Sequence, residues 1–281
     1  MRFRPRLADG SVNVSATHPL KEVALLAGGL LALVAAAYLI VAALSSWIAL
    51  HLPVEAEIWL GRKMVRQVPG SHSEALQKRL DSLTALLPED SPLRAYSFRI
   101  HLSERPQMNA VALPGGTIVV YQGLIDAVES ENELAMVLGH ELGHFAHRDH
   151  LKRMGKGIVL TAAVWLLFGN SAGADQLLAP IISGLEATYS RSQEEAADLY
   201  GLQMLYSRFG HVGGAVDFFK RIIKKGSHPK YAYLLATHPD PESRMERLKA
   251  EAEARGWPFG PVTPLGEDIL SIRRPPIKTT R

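Results

Sequence analysis

Hydrophobic positions are distributed very unevenly along the chain. From Val23 to Leu50 it reads VALLAGGLLALVAAAYLIVAALSSWIAL, without one charged residue. A helix that crosses a bilayer needs about 20 apolar residues, so this run predicts one transmembrane helix, and Trp47 suits an interfacial anchor. A cleaved signal sequence has an apolar region of only about 7–15 residues, which disfavours that alternative. The expected organisation begins with a polar, Arg-rich tail at 1–20 and an anchor at 21–52.

After the anchor the pattern turns amphipathic. Residues 53–92 read as helical and polar, with Leu76, Leu80, Leu83, Leu86 and Leu87 on one apolar face closed by Pro88 and Pro92. The segment Tyr96–Leu102 alternates like a strand. Asn109–Leu113 and Thr117–Tyr121 read as a strand pair, with Pro114-Gly115-Gly116 as its turn. Glu131 to His150 contains no proline and reads as one helix. A second apolar stretch, 157–185, is broken at Gly169–Asp175 into halves too short to span a bilayer. It is either a pair of buried helices or a hairpin at the membrane surface, and the nearby anchor favours the surface. The Pro- and Arg-rich segment 256–281 reads as an irregular or disordered tail. The body at 53–255 is therefore expected to be one α+β domain, mainly helical, with a small sheet.

Composition narrows the chemistry. The chain has 281 residues, 47% hydrophobic and 21% charged, enough for a core and unlike a disordered protein. A net charge of +3 with a pI near 9.1 suits an anionic membrane surface, and no nucleic-acid-binding signature accompanies it. Cysteine is absent, so disulfides and thiol catalysis are excluded, and any metal must be held by His, Asp or Glu. Arg2, Arg4, Arg6 and Lys21 precede the span while Arg62, Lys63 and Arg66 follow it. This near-balance tilts toward an inside N-terminus and an extracytoplasmic domain.

The motif that carries chemistry is His140-Glu141-Leu142-Gly143-His144. On a helix, residues i and i+4 share a face, so two imidazoles can grip one Zn²⁺ with the intervening carboxylate beside it. Chance alone would place such a pentapeptide in roughly 3% of shuffled chains, so context must decide. Leu134, Leu138, Leu142 and Phe145 form an apolar stripe around this helix. Ala135, Gly139, Gly143 and Ala146 form a small-residue ridge suited to close packing of another helix, and the histidines occupy the remaining sector. A catalytic zinc takes three protein ligands and keeps an open position. Downstream, Ser190–Asp198 reads SRSQEEAAD, with Glu194 and Asp198 one turn apart. Glu194 can ligate, Asp198 can accept a histidine N–H behind the ligand, and Glu195 points elsewhere.

HELGH, then SRSQEEAADLYG, then THPDPESRMERL, preceded by NAVALPGG at Asn109–Gly116, resembles the M48 family of zinc metallopeptidases, with its Ste24, HtpX, Oma1 and BepA branches. The resemblance covers about 95–250. It implies a zincin-like fold, one Zn²⁺ held by His140, His144 and Glu194, and Glu141 as general base. It further implies Asp198 and Arg244 as supports behind the ligands and His238 as a histidine beside the zinc. In some members that histidine fills the fourth position and keeps the enzyme latent; in others it steadies the tetrahedral intermediate. Asn109 and Ala110 would lie on the edge strand that pairs with substrate backbone. His147, His150 and His211 match no ligand position. The chain is expected to differ from multispan relatives in having one span and from BepA in having no helical-repeat domain.

The expected activity is zinc-dependent endopeptidase action on protein substrates. The zinc is expected to activate a water and Glu141 to move its proton, and the location beside the bilayer points to quality control of misfolded envelope or membrane proteins. Lipid is the other expected partner, nucleic acid is not, and the expected site is the inner membrane with the domain periplasmic or otherwise extracytoplasmic. Two rivals stand beside this reading: a zinc-bound, non-cleaving chaperone-like adaptor, and an HtpX-like protease facing the cytoplasm.

Overall fold

The computed structural model describes residues 19–155, 188–225 and 234–274. The expected tail at 1–18 and the apolar stretch 157–185 lie outside the described residues. The chain divides into two compact units, one ending at Ala43 and the other starting at Leu44. Helix α1 (Pro19–His51) runs through the first and into the second. Its Pro19–Trp47 portion has a mean hydropathy of 2.5 and is long and apolar enough to cross a membrane. At 1.5 Å per residue it reaches roughly 44 Å, against a hydrocarbon core of about 30 Å. Leucines such as Leu25 and Leu31 stand exposed along it.

The second unit is mainly helical around one small mixed sheet. Helices α2 (Val54–Val65) and α3 (Glu74–Thr84) come first, with strand β1 (Gly70–His72) between them. That strand interrupts the stretch expected to be helical. It is three residues long and exposed throughout, so no alternation marks it. The leucine face of α3 forms through Leu76, Leu80, Leu83 and Leu87, but Leu86 is 41% exposed and leaves the face. A 3₁₀ turn at Pro92–Ala95 delays strand β2 to Arg99–Ser103. Tyr96 and Phe98 then pack as rings against Phe145 instead of joining the sheet.

Strands β3 (Ala110–Leu113) and β4 (Thr117–Tyr121) form the expected antiparallel pair. Gly115 and Gly116 turn at φ +74° and +89°, and a Cβ on Gly115 would sit 2.4 Å from Ile58 Cα. The turn therefore needs glycine both for its backbone and for the approach of α2. The sheet order is β1-β2-β4-β3, with β2 and β4 parallel. Among the described residues β3 is an edge strand. A short helix α4 (Gln122–Ile125) follows.

Helix α5 (Glu131–Ala146) starts at Ser130, whose hydroxyl accepts from Glu133 N. It ends four residues before the expected His150. Arg148 takes φ +53°, and helix resumes at 149–155. No glycine or proline signals the break. Its cause is tertiary: Arg148 pairs with the buried carboxylate of Glu57 and donates to Leu52 O at 2.8 Å.

Helix α6 (Arg191–Phe209) opens with a capping box between Ser190 and Gln193 and ends at Gly210 in the left-handed region. The small-residue ridge of α5 meets it. A Cβ on Gly143 would stand 2.8 Å from Ala197 Cα, and one on Gly139 would stand 3.1 Å from Gly201 Cα. Backbones this close bring the carboxylates of α6 over the histidines of α5. The outward stripe of Leu134, Leu138, Leu142 and Phe145 is fully buried in the main core.

Helices α7 (Asp217–Lys225), α8 (Pro241–Ala254) and α9 (Glu267–Ser271) complete the unit. The C-terminal segment corrects the expected tail. It is irregular up to Gly266, yet Leu265 and Ile269 join the core, and Arg79 bridges Glu131 and Asp268. Leu265 and Ile269, with Trp257 and Ile272 packed against the same core, hold a segment whose prolines suggested an extension.

Candidate metal centre and active site

His140 and His144 project from the face of α5 that the leucines leave free, and both are buried. His140 Nδ1 donates to Asp198 Oδ1 at 2.9 Å, and His144 Nδ1 donates to Asp149 Oδ2 at 3.1 Å. A carboxylate only accepts, so each Nδ1 carries the proton and each Nε2 offers a lone pair. The two Nε2 atoms lie 3.1 Å apart. Two bare acceptors at that distance repel each other unless a cation sits between them. Tetrahedral zinc with Zn–N bonds of about 2.0–2.1 Å sets its donors roughly 3.3 Å apart.

Glu194, one turn into α6, faces both rings. Its oxygens lie 3.5 Å from His144 Nε2 and 3.8 Å from His140 Nε2. His238 reaches in from the segment before α8, with Nδ1 2.9 Å from Glu194 Oε1. Donor atoms of His140, His144, Glu194 and His238 all lie within 4.8 Å of one another. Two or three imidazoles with one carboxylate suit zinc, so the residues present fit the ion.

Two carboxylates hold the rings from behind. Asp198 fixes His140 and is itself held by Arg244, which donates from Nε at 2.7 Å and Nη2 at 2.6 Å. Arg244 also pairs with Glu194. It comes from the first turn of α8, which Asp240 caps at Ser243 N and Pro241 opens. Asp149 fixes His144 and receives Gln193 Nε2 at 2.9 Å and Lys152 Nζ at 3.1 Å. Tyr189 stacks on His144 with ring centroids 3.7 Å apart, and the Arg153 guanidinium covers its other face.

Electrostatics follow from this arrangement. Burial would raise the Glu194 carboxyl, but His238, Arg244 and His144 outweigh it and hold the group far below the ordinary range. Burial likewise opposes ionisation of Asp198, yet Arg244 and His140 bring it down to about 2. Burial lowers His140 and keeps its imidazole neutral, as ligation requires. At His144 the pull of burial is outweighed by Asp149 and Glu194, so the surroundings favour a positive charge at this position, which a cation on Nε2 of the neutral ring would supply in place of a second proton. Glu141 is also buried, and its Oε2 has no hydrogen-bond partner among the described residues.

The structure thus brings His140, Glu141, His144, Glu194, Asp198, His238 and Arg244 into one cluster. Asn109 and Ala110 line the cavity that His140 and Glu141 also line. Glu195 and His147 are exposed, and His150 and His211 lie in other surroundings. Sequence reasoning missed Asp149, Tyr189, Arg153 and Gln193. Asp149 is unrecognisable without the helix break at Arg148. Tyr189 had the only local signal, its place just before the capping serine.

A histidine pair on one helix, a carboxylate from a second helix tight against it and an unpaired glutamate beside them define a metallohydrolase-type centre. The model of "Peptidase family M48" matches residues 73–252, and the chain belongs to this family of metallopeptidases. Relatives include the beta-barrel assembly-enhancing protease of Yersinia pestis, 25% identical over 72% of this chain and 45% of that protein. The mitochondrial metalloendopeptidase OMA1 of Bos taurus is 29% identical over 53% of this chain and 31% of its own length. Metalloprotease YcaL of Escherichia coli is 28% identical over 64% of this chain and 71% of its own. The chain therefore spans less than half the length of the first two of these relatives.

Proposed function

We propose that this chain is a membrane-anchored, zinc-dependent endopeptidase acting on membrane or envelope proteins, with its catalytic domain outside the cytoplasm. The observation that carries the reading is the pair of Nε2 atoms 3.1 Å apart, each backed by a carboxylate on Nδ1 and both facing Glu194. His140, His144 and Glu194 would hold one Zn²⁺, which when bound would supply a Lewis acid for water and the peptide carbonyl. Glu141, whose Oε2 has no hydrogen-bond partner among the described residues, would take the proton of the attacking water and pass it to the departing amine. His238 is the fourth donor within reach. It either closes the site in a latent form or steadies charge on the reacting carbonyl. Asp198, Arg244 and Asp149 fix the tautomer and orientation of the ligand histidines. Asn109 and Ala110 present the edge of β3 to substrate backbone.

The extracytoplasmic placement rests on Arg2, Arg4 and Arg6 ahead of α1 and on Lys21 in its first turn. Action on envelope or membrane proteins rests on the anchor and on the similarity to the beta-barrel assembly-enhancing protease of Yersinia pestis. A C-terminal reporter fusion checks the side: activity of a cytoplasm-dependent reporter would reverse the topology. The central test joins metal analysis to proteolysis of casein. Glu141→Gln is expected to keep about one zinc per chain while cleavage falls roughly 10²–10⁴-fold. Equal cleavage by both proteins would sink the protease reading, and zinc binding with no cleavage by wild type would favour the non-cleaving adaptor.

A further inference from the structure

Helix α2 starts almost where α1 ends: only Leu52 and Pro53 separate His51 from Val54. Three Cα–Cα steps span at most about 11 Å, so α2 begins beside the end of the apolar helix. The junction is clamped. Arg148 Nη2 donates to Leu52 O at 2.8 Å. Ser45, inside the apolar run and two residues before Trp47, is buried, and a Cβ on Gly155 would stand 2.8 Å from Ser45 O. The helical stretch 149–155 therefore packs directly on the last turns of α1. All of these residues belong to the second unit. Its body is held at the level where the apolar run ends and is not carried on a stalk.

The two faces of α2 differ. Leu60, Gly61 and Met64 turn inward with Glu57, and Gly61 leaves room for Pro114 of the β3–β4 turn. Trp59, Arg62, Lys63 and Arg66 stand on the outward face, all exposed and spaced as helical neighbours. Trp59 is 53% exposed, whereas an indole is on average highly buried in a folded domain. Lys63 Nζ lies 4.3 Å from its ring centre. Among the described residues, none of the three cations has a carboxylate within ion-pair distance. The helix dipole favours basic residues in a last turn, which accounts for their sign. It does not account for an indole in their midst.

Trp beside Lys and Arg is the composition of a helix lying in a lipid headgroup layer. The indole suits the boundary between headgroups and acyl chains, and the cations suit anionic phosphates. Against the three cations α2 exposes one carboxylate, Glu55. An acidic partner protein would match the charge, but it would not explain why this face lies next to the end of an apolar helix able to cross a membrane.

We infer that the outward face of α2 is a lipid-docking surface, which binds the anionic headgroups of the leaflet beside the catalytic domain and seats the Trp59 indole among them. The inference rests on the membrane-anchored reading above. The span holds the chain in the membrane, and α2 fixes how the domain meets the lipid surface.

The chain has no cysteine, so a single introduced one carries a nitroxide label without background. Glu55→Cys places the label on the outward face, one turn before Trp59. Glu253→Cys places it on α8, which packs on α6 and α7, as the reference. The full chain is reconstituted into nanodiscs of phosphatidylcholine alone or with about 30% phosphatidylglycerol. In the anionic discs, accessibility to an aqueous nickel chelate should fall about threefold or more at the first label and stay level at the reference. Combined Arg62→Glu, Lys63→Glu and Arg66→Glu should abolish that protection while the unfolding temperature stays unchanged, since all three side chains are exposed. Salt at about 1 M should abolish it in the unaltered face, and Trp59→Ala should weaken it about twofold. Equal accessibility in both discs, or protection that survives both charge reversal and salt, would overturn the docking surface. Protection in both lipids with spin–spin broadening would overturn it in favour of a second copy of the chain. Failure of the membrane-anchored reading has a different signature: the chain would not float with vesicles of either composition.

Discussion

Two buried clusters of histidine and glutamate lie at opposite ends of the break after α5, and they differ in kind. In the first, His140 and His144 meet Glu141 and Glu194, with Asp149 and Asp198 behind the rings. In the second, His150 and Glu57 are both fully buried, with 3.6 Å between Nε2 and Oε2. Tyr96 donates to Glu57 at 3.1 Å, and Arg148 neutralises it. The first cluster sets four carboxylates against Arg244 and the half-exposed Lys152. The second pairs one carboxylate with one guanidinium. Buried His and Glu side by side are therefore not enough to imply a metal. What distinguishes a metal centre is convergence of bare donor atoms together with an excess of negative charge that a cation relieves. The Glu57 cluster is balanced in charge by Arg148, although neither ring nitrogen of His150 has a hydrogen-bond partner among the described residues, and it holds α2 against the turn that aims Asp149.

The largest expected contrast comes from removing one histidine of each cluster. His144→Ala should drop zinc from about one per chain to near zero and abolish cleavage. His150→Ala should keep zinc and lose roughly 2–4 kcal/mol of stability through the cavity it leaves. Metal analysis and thermal unfolding of both variants decide the matter, and equal zinc in the two would erase the distinction.

A finer effect belongs to the support of the ligand. Asp149→Asn keeps the side-chain shape but weakens the hold on His144. Zinc affinity should fall about 10–100-fold, read by competition with a chromophoric chelator. An affinity unchanged within twofold would make Asp149 a structural residue only.

The smallest effect tests the charge-balanced Glu57 cluster by pH. Burial raises the Glu57 carboxyl, but His150, Arg148 and Tyr96 outweigh it and hold it below its ordinary value of 4.5. A depressed carboxylate contributes stability that is present above that ordinary value and is lost as pH falls through the lower, folded-state one. Glu57→Gln should therefore cost about 1–2 kcal/mol at pH 7, and the gap from wild type should close below about pH 4. Urea midpoints in EDTA, which removes any contribution of metal, measure it. A gap that stays constant from pH 7 to pH 3 would assign the effect to packing.

Much of this was legible in the chain because it depends on spacing within one element. His140 and His144 four apart, the leucine stripe, the ridge of Gly139 and Gly143, and Glu194 one turn before Asp198 all follow from helical periodicity. The β3–β4 hairpin follows from its glycine turn. Other features left no local trace. Strand β1 has no apolar residue to betray it. Leu86 and Leu87 both lie in the turn after α3, and that turn sends Leu87 into the core and leaves Leu86 exposed. The packing of Leu265 and Ile269 depends on partners far back in the chain.

The sequence by itself therefore determined that a glycine-ridged helix would carry two histidines and a glutamate, and that an apolar run able to cross a membrane would precede it. These are consequences of residues within a few turns of one another. The tertiary structure alone decided that the helix breaks at Arg148, that Asp149 swings back onto His144, and that Tyr189 covers the ring. It also decided that α7 walls an apolar slot beside Glu141. Each of these depends on a contact between residues distant in sequence or on a backbone turn that such a contact enforces, and periodicity carries no record of either.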